Sequence, residues 1–267
     1  MLALLLLLFA LAYVFCLRGR KGQPGLKALQ GWSYAHRGLH GPDRPENSLS
    51  AFRAALEAGY GIELDVHLLR DGGLAVIHDY KLERTTGAEG TVEELTASEL
   101  ENYRLEGTRE TIPTLQQVLE LFNGSAPLIV ELKAHGNNYA ALCQAACDAL
   151  KEYPGVYCVE SFDPRCVYWL KKHAPHIIRG QLAENFLKKK GGPVPWLLRF
   201  CLTCQLFNAV TRPDFVAYKF TDRKRLGNTL VRKLWGIQGV AWTLKNPSEH
   251  QRALAEGWIP IFEAYKP

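Results

Sequence analysis

Residues 61–79 read GIELDVHLLRDGGLAVIHD. Across Ile62–Val66, Ile62, Leu64 and Val66 alternate with Glu63 and Asp65, so the two acids share one side of an extended segment. Asp71-Gly72-Gly73 is a turn signal, and a second extended run, Leu74–His78, follows it. Further runs of strand character are Ser33–His36, Leu128–Leu132, Val156–Glu160, Ile177–Leu182, Phe215–Phe220 and Val240–Leu244. Helical stretches separate most of them, at Ser48–Ala58, Thr114–Phe122, Asn138–Lys151, Pro164–Lys172 and Ser248–Glu256. Strands alternating with helices predict an α/β fold, and eight strands in this length predict a closed (β/α)8 TIM-type barrel. Two features sit awkwardly with that count. The residues between Val66 and Ala75 are too few for a crossover helix, although an extended return of about 25 Å fits them. Ile259–Glu263 is a ninth candidate strand, one more than the barrel holds.

The chain of 267 residues is 47% hydrophobic and 22% charged, which supplies a sizeable core and excludes disordered, coiled-coil, collagenous and polytopic membrane classes. A net charge of +5 is too mild to imply a nucleic-acid partner, and none is expected. Seven cysteines, an odd number in so long a chain, fit reduced thiols of a cytosolic compartment better than a disulfide framework. Leu2 to Leu17 are apolar throughout, and Arg18, Arg20 and Lys21 follow at once. As a helix this run covers about 24 Å, short of the roughly 30 Å hydrocarbon core of a bilayer. No Lys or Arg precedes it and no A-x-A site closes it. It therefore reads as a single-pass anchor in the cell membrane, with the positive flank and the remaining chain on the cytoplasmic side. A cleaved signal peptide or a misplaced start codon is the alternative. The expected organisation is an anchor with basic flank over 1–21, a linker over 22–30 and a barrel domain over 31–267.

Chemistry-bearing residues fall at the C-terminal ends of the expected strands, where barrel enzymes work. His36-Arg37-Gly38 ends the first, Glu63 and Asp65 lie in the second, His78-Asp79 ends the third, and Glu131 and Lys133 end the fourth. Three carboxylates on one rim repel one another unless a cation sits among them, and all-oxygen ligands select a hard ion such as Mg²⁺ or Ca²⁺. His36 and His78 beside that cation make an acid–base pair. Arg37 and Lys133 add positive charge suited to an anionic oxygen. Together these groups point to a phosphoryl substrate. A lone strand-end histidine is usually structural, and an acidic pair at period two can be the solvent side of an edge strand. Their joint occurrence at four successive ends favours catalysis.

Ala35-His36-Arg37-Gly38 followed by Pro45-Glu46-Asn47-Ser48 resembles the HRG…PENT signature of the glycerophosphodiester phosphodiesterases. Gly61 to Val66, Asp71-Gly72, Val76-Ile77-His78-Asp79, Leu82 to Thr86, Ile112 to Leu115, Glu131-Leu132-Lys133, Ser161 to Pro164 and Ala241-Trp242-Thr243 continue the resemblance in order, over about residues 33–264. It implies a TIM-type barrel and a metal-dependent phosphodiesterase releasing sn-glycerol 3-phosphate and an alcohol in two steps through a cyclic 1,2-phosphate. It implies His36 and His78 as acid and base, and Glu63, Asp65 and Glu131 as ligands of one divalent cation. It also implies Arg37 and Lys133 as phosphate contacts and Trp242 as the aromatic at the pocket rim. Two positions depart from the pattern. Ser48 replaces the signature Thr and keeps a hydroxyl able to cap a helix. Ile261-Phe262-Glu263 replaces the usual Ile-Thr-Asp ending.

Arg165 to Lys233 carry 15 Lys or Arg against Glu184, Asp214 and Asp222, a surplus of +12 that leaves −7 for the rest of the chain. The span 188–207 joins Lys188-Lys189-Lys190 to Trp196-Leu197-Leu198-Arg199-Phe200. It suits an anionic bilayer surface, or else a loop and helix packed over the barrel rim with a solvated basic face. Cys201-x-x-Cys204 lacks a second pair at metal spacing, Cys143 and Cys147 read as core, and His67, His135 and His173 fit no constellation. The expected substrate is a small glycerophosphodiester. Cleavage of a lysophospholipid headgroup by the same groups and a catalytically silent lipid- or phosphate-binding module are the alternatives. A metal-dependent amidohydrolase would carry a His-x-His where this chain has His36-Arg37.

Overall fold

Over residues 1–188 and 194–267, which the computed structural model describes, nine strands form one sheet: β1 (Tyr34–His36), β2 (Gly61–Leu68), β3 (Leu74–Val76), β4 (Leu128–Leu132), β5 (Tyr157–Ser161), β6 (Arg179–Ala183), β7 (Phe215–Lys219), β8 (Gln238–Leu244) and β9 (Trp258–Phe262). Eight of them pair in parallel in the order β1-β9-β8-β7-β6-β5-β4-β2, and β1 pairs with β2 to close the ring. The expected (β/α)8 barrel is therefore present, with one correction. β3 is not a barrel strand. It turns back at Asp71-Gly72-Gly73, where Gly72 has a φ of +87°, and pairs antiparallel with β2, Val66 opposite Val76. The connection is too short to cross over, so the run returns as a hairpin arm and Ile259–Glu263 supplies the eighth barrel strand. Residues 69–112 then pack a small core of their own, including Leu69, Ile77, Val92 and Leu100.

The helices are α1 (Leu2–Cys16), α2 (Leu49–Glu57), α3 (Glu83–Thr86), α4 (Leu115–Phe122), α5 (Tyr139–Leu150), α6 (Pro164–His173), α7 (Trp196–Thr203), α8 (Asn208–Thr211), α9 (Leu226–Lys233) and α10 (Pro247–Ala255). Ser48, Thr114, Asp163 and Asn246 open α2, α4, α6 and α10 with side chains that accept a backbone N–H of the first turn. Strand residues alternate between two cores. Ile62, Leu64, Val66, Leu128 and Val130 face the helices, while Tyr34, Ile129, Phe215, Val240 and Ile261 fill the barrel. Leu29, in the segment expected to be a linker, is buried in that inner core, where its carbonyl accepts the Tyr34 hydroxyl at 2.9 Å.

Gly180 makes room for the inner core. A Cβ there would lie 2.2 Å from the Phe215 ring. Gly180→Ala should lower stability by roughly 1–3 kcal/mol, the usual cost of overpacking, measured by denaturant unfolding.

No helix among the described residues is long and apolar enough to cross a membrane. At about 1.5 Å per residue, α1 reaches only about 22 Å, and its C-terminal end is committed to the barrel. Leu17 is buried, Trp235 Nε1 donates to the Val14 carbonyl at 2.8 Å, and Arg20 pairs with Asp214 at 2.5 Å. The expected crossing segment is thus not matched. Of the span 188–207, Lys189 to Pro193 lie outside the described residues.

Candidate active site

β2 and β4 lie side by side with Asp65 opposite Glu131, which brings Glu63, Asp65 and Glu131 together at the C-terminal end of the barrel. One carboxylate oxygen from each lies within 4.8 Å of the others, and all three side chains are buried. Lys133 Nζ is 2.9 Å from Asp65 Oδ1 and 2.7 Å from Glu131 Oε1, an ion pair with both carboxylates. Asp65 Oδ2 accepts Asn47 Nδ2 at 2.9 Å and lies 3.2 Å from Arg37 Nε. The Arg37 backbone N–H donates to Glu63 Oε2 at 3.2 Å. Arg37 holds a φ of +55°, a strained conformation that turns its N–H and guanidinium into the site.

Charge in the cluster is unevenly shared. Burial, with Asp65 and Glu131 adding repulsion, pushes the Glu63 carboxyl well above its ordinary value. Burial also pushes Glu131 up to about 7, with Lys133 opposing. Asp65 is equally buried, yet Lys133 and Arg37 outweigh that burial and hold it well below the usual carboxylate range. A closed ring of carboxylates that resists full ionisation fits a divalent cation with oxygen ligands.

Each expected histidine has its own carboxylate. His36 Nδ1 donates to Glu263 Oε2 at 2.6 Å, which leaves Nε2 free, 3.9 Å from Glu63 Oε2. His78 Nδ1 donates to Asp79 Oδ1 at 2.6 Å. Asp79 is bonded in turn by Arg84, which also reaches Glu46 at 2.5 Å, and Glu46 pairs with Arg37 at 3.0 Å. Burial lowers both imidazoles below their ordinary value, against the pull of these carboxylates. His78 reaches the rim by a route other than the expected barrel strand, just beyond the hairpin arm β3. Glu263, Asn47, Glu46 and Arg84 are site residues that the sequence reading missed. Glu263 had a signal: Ile259, Ile261 and Glu263 share one side of the last strand.

Glu263→Gln introduces an amide that can donate as well as accept, so His36 loses its fixed tautomer. Turnover should fall by about tenfold or more, with the Michaelis constant little changed, in steady-state kinetics on purified protein.

Of the three carboxylates, Glu131 lines a cavity of about 1040 Å³, together with His78 and Lys133. The same cavity has an apolar lining from Phe162, Phe186, Val194, Leu198, Leu202 and Phe207. Trp242 stands behind Phe162, edge to face with ring centres 5.5 Å apart, and Lys219 lies 5.9 Å from the indole. His67 also lines the cavity, with Nε2 bonded to the His78 carbonyl at 3.2 Å and Nδ1 facing Glu93.

The sequence profile of the glycerophosphoryl diester phosphodiesterase family matches residues 36–263. A glycerophosphodiester phosphodiesterase of Caldanaerobacter subterraneus is 37% identical over 160 residues, covering 56% of this chain and 65% of that protein. One of Bacillus altitudinis is 42% identical over 113 residues, covering 40% of this chain and 46% of that protein. The matched segments thus span between about half and two thirds of these relatives. Among solved structures, an Oleispira antarctica phosphodiesterase in complex with the product sn-glycerol-3-phosphate shares the fold with a TM-score of 0.74 at 23% identity, over 89% of this chain and 94% of that one. The profile runs from the first site histidine, His36, to its carboxylate partner, Glu263, and so takes in the whole ring of site residues; the chain belongs to the glycerophosphoryl diester phosphodiesterase family.

Proposed function

We propose that this chain hydrolyses glycerophosphodiesters to sn-glycerol 3-phosphate and an alcohol. The observation that carries this reading is the convergence of three buried carboxylates, two basic side chains and two carboxylate-paired histidines at one barrel mouth. Glu63, Asp65 and Glu131 would hold a divalent cation, Mg²⁺ or Ca²⁺, which when bound would supply Lewis-acid charge at the phosphate. Arg37 and Lys133 bind the remaining phosphate charge and fix the phosphorus against the attacking oxygen. His36 is enclosed beside Glu63, and its free Nε2 takes the proton of the attacking hydroxyl. His78 lines the cavity that receives the departing group, and it gives a proton to the alcohol oxygen as the phosphorus–oxygen bond breaks. The roles reverse when water completes the hydrolysis. Phe162 lines the pocket, and Trp242 packs edge to face behind it. Incubation of the full chain with glycerophosphocholine, followed by product identification, tests this. Glycerol 3-phosphate and choline support it; glycerol and phosphocholine, or intact substrate, overturn it.

A second reading, cleavage of a lysophospholipid headgroup by the same groups, is favoured by the apolar wall of the cavity, which a short polar diester does not need. A higher rate on lysophosphatidylcholine than on glycerophosphocholine, with lysophosphatidate as product, selects it. With this reading goes attachment of the chain to the cytoplasmic surface of the cell membrane through α1, seated in the interface rather than crossing it. Support comes from its uncovered apolar surface and from the seven free thiols.

A further inference from the structure

α7 is apolar on both faces. Leu198 and Leu202, one turn apart, line the catalytic cavity, whereas Trp196 and Leu197 on the outside are each 65% exposed. A helix apolar all round is normally buried on all sides. Here the inner side faces the cavity and the outer side is bare. α1 points the same way. The Arg20 N–H bonds the Pro213 carbonyl just before β7, at the barrel floor. Further up α1, the Tyr13 hydroxyl reaches the Cys204 carbonyl at 3.3 Å, immediately after α7. The helix thus climbs the barrel wall towards the mouth, and Leu2 to Ala12 are exposed.

Beside these apolar elements, the loops after β6 and β7 together with α10 enclose a groove of about 510 Å³ lined by Lys188, Arg223, Lys224, Arg225 and, from α10, Arg252, with Asp222 as its acid. Lys188 pairs with Asp222 and Arg223 with Glu256. Lys224, Arg225 and Arg252 have no ion-pair partner among the described residues. Leu226, adjacent to the groove, is 67% exposed. Uncovered apolar side chains rimmed by uncompensated positive charge match the acyl boundary and headgroup layer of an anionic bilayer.

We propose that the protein docks mouth-down on an anionic bilayer, with the outer face of α7 in the interface and the Lys224–Arg252 groove on lipid headgroups. This rests on the membrane-attached reading of α1 and adds which face meets the lipid and what lipid charge it selects. The cavity then opens at the membrane surface past Leu198 and Leu202, where a phosphodiester bearing an acyl chain can enter without leaving the interface.

The test uses the full chain and co-sedimentation with phosphatidylcholine vesicles with and without phosphatidylglycerol. Wild type should bind the anionic vesicles at low salt and lose affinity as salt rises. The triple change Trp196→Ser, Leu197→Ser, Phe200→Ser and the double change Lys224→Glu, Arg252→Glu should each weaken binding by about tenfold or more, while hydrolysis of soluble glycerophosphocholine persists. Quenching of tryptophan fluorescence by brominated lipid should be reduced in Trp196→Phe, which keeps binding. No binding by wild type overturns both the attachment and this orientation. Binding by wild type and both variants alike overturns the orientation alone, as does a dimer in solution whose formation buries α7 and excludes vesicles.

Discussion

Replacing Glu63 by Gln should abolish metal-dependent turnover and, in chelator, make the protein more stable than wild type. The two effects share one cause. Without a cation, three buried carboxylates face one another with Lys133 and Arg37 as their nearest positive charges. Glu63 is the member whose charge is least tolerated, since burial and two neighbouring acids oppose its ionisation. Without the ion this carboxyl must either ionise against its neighbours or take up a proton, and Gln removes that cost, roughly 1–3 kcal/mol on the scale of an unsatisfied buried group. It also removes a ligand, so affinity for the divalent ion should collapse and activity fall by at least about 10². Thermal unfolding with and without metal reads both quantities. Wild type should gain stability on adding the ion, and the variant should gain little. A variant that unfolds earlier than wild type in chelator, or that keeps full turnover, would show that the cluster does not serve as a cation site.

His36→Ala and His78→Ala should each lower turnover by at least about 10², the lower range for general acid–base catalysis, with the metal-induced stability gain intact. The two variants should part company when the leaving group changes. A departing p-nitrophenolate needs no proton, so a p-nitrophenyl ester of glycerophosphate should restore much of the activity of His78→Ala and little of that of His36→Ala. His78 borders the cavity and His36 lies enclosed against Glu63 and Glu263, which is why the donor role is assigned to the former. Equal rescue of both variants would reverse or dissolve that assignment.

The barrel was legible because short extended runs such as Ile62–Val66 and Leu128–Leu132 alternate with helical stretches along the chain, the rhythm of a parallel barrel. An extended run by itself cannot distinguish a barrel strand from a hairpin arm, so Leu74–His78 was over-assigned; only the short connection to Val66 argued otherwise. The carboxylates were legible as residues near strand ends on one rim, but their closeness follows from β3 leaving the barrel, which sets β2 directly beside β4. The partners of the histidines were less legible. Asp79 is adjacent to His78, but Glu263 lies 227 positions from His36 and meets it only because β9 closes the ring against β1. α1 reads as a membrane segment from its composition, and nothing local to it reveals that Tyr13, Val14 and Leu17 are spent on the barrel wall.

The most direct test is a titration of metal-free wild type with Mg²⁺ or Ca²⁺, following heat of binding and release of glycerol 3-phosphate from glycerophosphocholine in the same preparation. Activity should be absent at the start and rise in proportion to occupancy of a single site, reaching its plateau at one ion per chain. Full turnover in metal-free protein, or activation that does not track filling of one site, would contradict catalysis at a cation held by Glu63, Asp65 and Glu131.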